Sequence, residues 1–227
     1  MVSKSAGIGG AGVVARAIFF VLSFWVVSAL AQQPPSEIPS ARVVDDALPR
    51  KPSTGLVLGS DTVRFEQTTL SEIGGRTANV VTNHSVGDKD GRRGSTWLCY
   101  TLIKGQQRQR FWLTSDDVFG GDGLVTGVYA VVLKPSDSAT QDCPDRSRYI
   151  RAVSFDNKIW LGASTRQIEL SLGTAPPEAD GWWGYMNVSQ RIDNTRHARE
   201  FQVYSRFDVR LSKGHVVEIR ASQISET

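Results

Sequence analysis

The sequence predicts an α+β fold, mainly antiparallel β-sheet meanders with short helices, arranged as two tandem helix-plus-sheet repeats. Three observations lead there. Most segments alternate apolar with polar residues and are rich in aromatic and β-branched side chains, the period-two pattern of half-buried strands. Helical periodicity is confined to two short stretches. Two similar tetrapeptides, Leu56-Val57-Leu58-Gly59 and Ile159-Trp160-Leu161-Gly162, open the two halves.

Ahead of this body, Lys4 and Arg16 precede the apolar run 17–27, and Ser28-Ala29-Leu30-Ala31 closes it before Gln32. A positive leader and an apolar core of about 11 residues, short of the roughly 20 needed to span a bilayer, lead into small residues at Ala29 and Ala31. Residues 1–31 therefore read as a secretory signal peptide, and the expected location is periplasmic or secreted, with no stable membrane anchor after cleavage. Residues 32–52 contain Pro34, Pro35, Pro39, Pro49 and Pro52 and no sustained periodicity, so a disordered linker is expected. The leader's Lys4 and Arg16 account for most of the net charge of +3. What remains is nearly neutral, and the basic clusters at Lys89, Arg92, Arg93 and at Lys104, Arg108, Arg110 sit in turn-like segments. Such clusters predict solvated hairpin tips and no nucleic-acid partner.

In the first repeat, residues 53–135, a helix is expected from a cap at Ser60 or Asp61 through Phe65 and Leu70 to Ile73, ended by Gly74-Gly75. Strands are expected at 78–82, 96–103, 110–114 and 123–133. Residues 136–146 read as a polar loop carrying Cys143. With Cys99 on a strand and only these two cysteines in a chain expected to be exported, a disulfide is the natural pairing. The second repeat, residues 147–227, has strands at 149–155, 182–188, 200–211 and 215–222, and a helix capped by Ser164, running through Ile168 and Leu172 and ended by Gly173. Glycines at 120–123 and 214 supply hairpin turns. The end of each half matches as well, Gly123-Leu124-Val125 against Gly214-His215-Val216.

The pattern Ile159-x-Leu161-Gly162-x-Ser164-x-x-x-Ile168-x-x-x-Leu172-Gly173-x-x-Pro176, followed by Trp183-x-Tyr185 and Gly214-x-Val216, resembles the repeat of β-lactamase-inhibitor-like proteins and of small outer-membrane assembly lipoproteins of the SmpA/OmlA type. The resemblance implies a helical pair packed on a meander sheet and, in the tandem form, a sheet face offered to a protein partner. One departure is plain: the lipoprotein members carry a cysteine at the cleavage site, where this chain has Gln32.

Catalytic motifs do not accompany this architecture. His84, His197 and His215 are scattered without ligand spacing, so no metal site is expected. Asp88-Lys89-Asp90-Gly91 lacks the closing acid of a calcium loop and reads as a turn. Nucleophile-elbow, phosphate-loop and dinucleotide signatures are missing, so no cofactor is expected. The expectation is an exported, non-enzymatic module that binds a protein or envelope component through one sheet face. The alternative is an envelope hydrolase using His84 or His215 with a neighbouring acid. The binding candidates are Trp183 and Tyr185: adjacent Trp182 and Trp183 must face opposite sides of a strand, and one of them faces the open side.

Overall fold

A computed structural model describes residues 53–77, 95–116, 123–174, 181–193 and 199–226. The expected signal-peptide and linker segments, the expected strand 78–82, the expected turn at 88–91, His84 and His197 lie outside these residues. The described chain is mostly antiparallel sheet with two short helices, an α+β architecture. Its elements are β1 (Gly55–Leu58), β2 (Asp61–Arg64), α1 (Leu70–Arg76), β3 (Ser95–Lys104), β4 (Gln107–Asp116), β5 (Gly127–Val132), β6 (Val153–Phe155), α2 (Thr165–Leu172), β7 (Trp182–Asp193), β8 (Arg199–Ser212) and β9 (His215–Glu226).

Six strands form one sheet in the order β3-β4-β5-β9-β8-β7. Each half of the chain thus contributes one helix followed by a three-stranded meander, and the last strand of each meander, β5 and β9, meets its counterpart at the centre. The smaller sheet, β2-β1-β6, takes strands from both halves. Leu56 and Leu58 of β1, Val63 of β2, Leu70 and Ile73 of α1, Phe155 of β6 and Ile168 and Leu172 of α2 join the inner side chains of the large sheet in one buried core. The small sheet and both helices therefore cover one face of the large sheet, and the halves share a core rather than folding as separate units.

Corresponding local devices place the two helices. Thr69 caps α1 in a capping box with Glu72, and Ser164 caps α2 in one with Gln167. Thr69 bridges to Leu124, and Ser164 bridges to His215 at the start of β9. The first helical amides, of Leu70 and Thr165, donate to the carbonyls of Gly123 (2.8 Å) and Gly214 (3.0 Å). Both glycines sit at φ 75°, where an L side chain is strained.

Three sequence expectations change. Residues 61–64 are strand, so the first helix begins only after Thr69, and it runs through Gly74-Gly75 to Arg76. Those glycines are tolerated because Leu70, Ile73 and Gly74 are buried against the sheet, and tertiary packing outweighs weak helix propensity. The tetrapeptides are not equivalent: Leu56–Leu58 lies within strand β1, whereas 159–161 is irregular chain between β6 and α2. The strand expected at 149–155 shrinks to Val153–Phe155, because residues 143–147 instead run along the free edge of β3. There Thr101 N–H donates to the Pro144 carbonyl and the Arg146 N–H to the Thr101 carbonyl, both at 2.9 Å. Cys99 and Cys143 lie at disulfide distance, Cα–Cα 4.6 Å, and the bond pins this loop to β3. Covering an edge strand in this way blocks pairing with another chain.

Replacing Gly123 or Gly214 by alanine costs about 1 kcal/mol each by strain at positive φ, and the Ser164→Ala variant loses about 1 kcal/mol through the missing cap. Denaturant midpoints measured with an unchanged slope check all three.

Candidate functional site: the outer sheet face

Register decides which side chains share a face. Two cross-strand rows, Tyr100-Phe111-Ala130-Ile219-Val209-Trp183 and Leu98-Leu113-Val128-Ala221-Phe207-Tyr185, run across all six strands on the inner face, and every member is buried. Trp183 and Tyr185 end these rows as core residues. The Tyr185 hydroxyl donates to the Gly173 carbonyl at 3.0 Å, and burial, helped by the negative charge of Glu169, pushes its pKa well above the usual tyrosine value. The expected exposed patch at Trp183 and Tyr185 is therefore corrected. Both helices and the small sheet pack on the face these residues point to, because Ile168, Leu172 and Phe155 need the same apolar cover.

The opposite face carries a different row: Cys99-Trp112-Tyr129-Arg220-Asp208-Gly184. Its first half is apolar. Trp97, Cys99, Trp112, Tyr129 and Cys143 form a second buried cluster, with the Trp112 and Tyr129 rings 5.3 Å apart. The loop bearing Cys143 lies over it, held by hydrogen bonds from Arg110 Nη2 to the Ser138 carbonyl (2.6 Å) and from Thr101 Oγ1 to the Cys143 carbonyl (2.8 Å). Burial lowers the Arg110 pKa, an effect Asp137 opposes.

The second half of that face, on β9, β8 and β7, is charged. Arg220 lies between two rings, its guanidinium carbon 5.3 Å from the centre of Tyr129 and 4.8 Å from that of Trp182. Asp208 is buried and accepts from Arg206 Nε at 2.6 Å. Glu218 is bonded to Arg210 Nη2, and that arginine's side chain is 41% exposed. The Tyr129 pKa is pushed up to about 12, first by burial and then by the charge and hydrogen bond of Glu218, with Arg220 and Arg210 pulling the other way. Trp182 thus lies on the outer side of the sheet, though itself buried, with the Arg220 guanidinium carbon near its ring.

The arginines and acids of this face were not singled out from sequence. A signal was present: Arg206-x-Asp208-x-Arg210 and Glu218-x-Arg220 repeat charge at the two-residue period of a strand, which aligns it on one side. His215 is exposed, and its ring Nδ1 lies 3.1 Å from the Lys213 carbonyl rather than beside an acid. Among the described residues no three His, Cys, Asp or Glu side chains converge to hold a metal ion. Family models, curated proteins and solved structures, when compared with this chain, produce no match.

Replacing Trp183 by alanine is expected to cost about 3–5 kcal/mol, as truncating a buried aromatic does. Calorimetry or denaturant unfolding of the single variant measures it. A second expectation concerns pH. A tyrosine whose folded pKa is raised contributes stability that is complete below its unfolded value, near 10, and is lost as pH climbs through about 12. The wild-type protein should therefore lose stability above pH 10, and the Tyr129→Phe variant should lose less over the same range.

Proposed function

We propose that this protein is an exported, non-enzymatic binding module that engages a protein or envelope component through the outer face of β7, β8 and β9. The observation that carries this reading is the composition of that face. Arg206, Arg210 and Arg220 gather on this face over the buried rings of Trp182 and Tyr129, and Arg backed by aromatic side chains is a composition that anchors protein interfaces. The leader at 1–31 supports export, and the paired cysteines suit an oxidising compartment.

We further infer that the two halves descend from a duplicated helix-plus-meander unit. Matching caps at Thr69 and Ser164, matching bridges to Leu124 and His215, and matching glycines at 123 and 214 support this. Glu66 adds to it: its N–H bonds the Val125 carbonyl at 2.8 Å, as Gly162 N–H bonds that of Val216 at 2.8 Å, and both residues have positive φ. The resemblance to β-lactamase-inhibitor-like proteins and SmpA/OmlA-type lipoproteins agrees with a partner docked on a sheet.

A photoreactive amino acid placed at Met186, on the outer face, should yield a discrete cross-linked adduct in cells exporting the protein. The same residue at Leu170, 67% exposed on α2, should not. Equal labelling from both sites, or none from Met186, overturns the reading.

A further inference from the structure

We propose that Arg220 anchors an acid-binding subsite that takes the carboxylate of an aspartate or glutamate side chain from the protein partner; this rests on the reading of the outer face above. The Arg220 guanidinium carbon lies 5.3 Å from the Tyr129 ring centre and 4.8 Å from that of Trp182, yet among the described residues its Nε and Nη1 make no hydrogen bond. Its Nε and Nη1 are buried without an acceptor, and so is Nε of Arg210. Buried donors are almost always paired, so Arg220 has donor capacity that the described residues leave unused, and only its remaining nitrogen, Nη2, is open to an acceptor from outside.

Neighbouring acids do not supply it. Asp208 stands directly opposite Arg220 in the register, but its carboxylate accepts from Arg206 at 2.6 Å. Glu218 serves Arg210 and the Tyr129 hydroxyl. Among the described residues Asp208 is thus engaged by Arg206 and Glu218 by Arg210, and no carboxylate is hydrogen-bonded to Arg220. A guanidinium packed against two rings loses little further freedom on binding, and its hydrogen bond to a carboxylate is charge-assisted. Nη2 is the donor left to reach the surface, and an arriving oxygen meets it there. Gly184 ends the same row without a side chain, next to Asp208, which is itself buried. The flanking charges of Asp208 and Glu218 favour a singly charged carboxylate over a doubly charged phosphate, since each added negative charge meets their repulsion.

The test uses the full mature chain labelled with nitrogen-15 arginine, at low ionic strength. The probes are acetyl-Gly-Glu-Gly-amide, its Gln counterpart and inorganic phosphate. The Glu peptide should shift the Arg220 side-chain resonance and quench tryptophan emission, whereas the Gln peptide should do neither. Affinity should fall at least tenfold in Arg220→Gln and several-fold in Arg220→Lys, which keeps the charge but not the planar fork. If Arg220→Gln does not fold by circular dichroism, Arg220→Lys alone decides. Binding of the Gln peptide, undiminished binding in Arg220→Lys, or phosphate binding more tightly than the Glu peptide overturns the proposal. Cross-linking from Met186 that persists undiminished in the arginine variants removes the subsite but leaves the face. Loss of cross-linking in the wild-type chain removes the face itself.

Discussion

The pairing of β5 with β9, five residue pairs from Gly127↔Ser222 to Val131↔Glu218, is the constraint on which the rest of the structure depends. Each meander alone would be a three-stranded sheet with an unpaired edge at β5 or β9. Joined, they give six strands and inner rows long enough to receive both helices and the small sheet. The seam also sets the outer face, because it brings Tyr129 of one half beside Arg220 of the other. Gly127 lies within this seam, where a Cβ would approach Thr114 Oγ1 to 2.7 Å; the absence of a side chain lets β4, β5 and β9 close together.

The two faces of one sheet are governed by different physics. On the inner face, area removed from water decides, and Trp183 and Tyr185 have no choice but to join it. On the outer face, the apolar half is roofed by a loop tied through Cys99 and Cys143, while the other half alternates arginine and acid. A single disulfide closing a separation of 44 residues stabilises by up to about 4 kcal/mol in the chain-entropy model. Its local effect is to keep Trp97 and Trp112 covered. Glu66 plays a comparable tethering part from the inner side: its carboxylate accepts from Gln223 Nε2 (3.1 Å), Ser225 Oγ (2.6 Å) and Arg191 Nη1 (3.4 Å). Those three donors offset the strain of a non-glycine residue at φ 56°.

Features encoded within a few residues were legible in the sequence. Ser164, Ile168, Leu172 and Gly173 define α2 because cap, buried face and terminator all lie within one short segment. The strands at 96–103 and 200–211 followed from period two, and the cysteine pair from count and expected compartment. The first helix starts later than expected because Ser60 and Asp61 resemble caps, while the capping is done by the Thr69-x-x-Glu72 box. The side of the sheet that Trp183 occupies was not legible at all. Alternation separates Trp182 from Trp183 but does not say which side the helices cover. That depends on contacts between β7 and residues as distant as Phe155 and Ile168. The arginine row was hidden for the same reason, since Arg220 meets Tyr129 only across the seam.

The central place of β9 bears on how the molecule assembles. This strand follows every other described element in the chain, yet it occupies the middle of the sheet between β5 and β8. A chain that has emerged only as far as β8 lacks the strand that joins the two meanders into one sheet, although β1 can already pair with β6. Such long-range pairing gives high contact order, and high contact order means slow folding. The large sheet therefore closes only once the last described strand is in hand, however early the β3-β4-β5 meander forms.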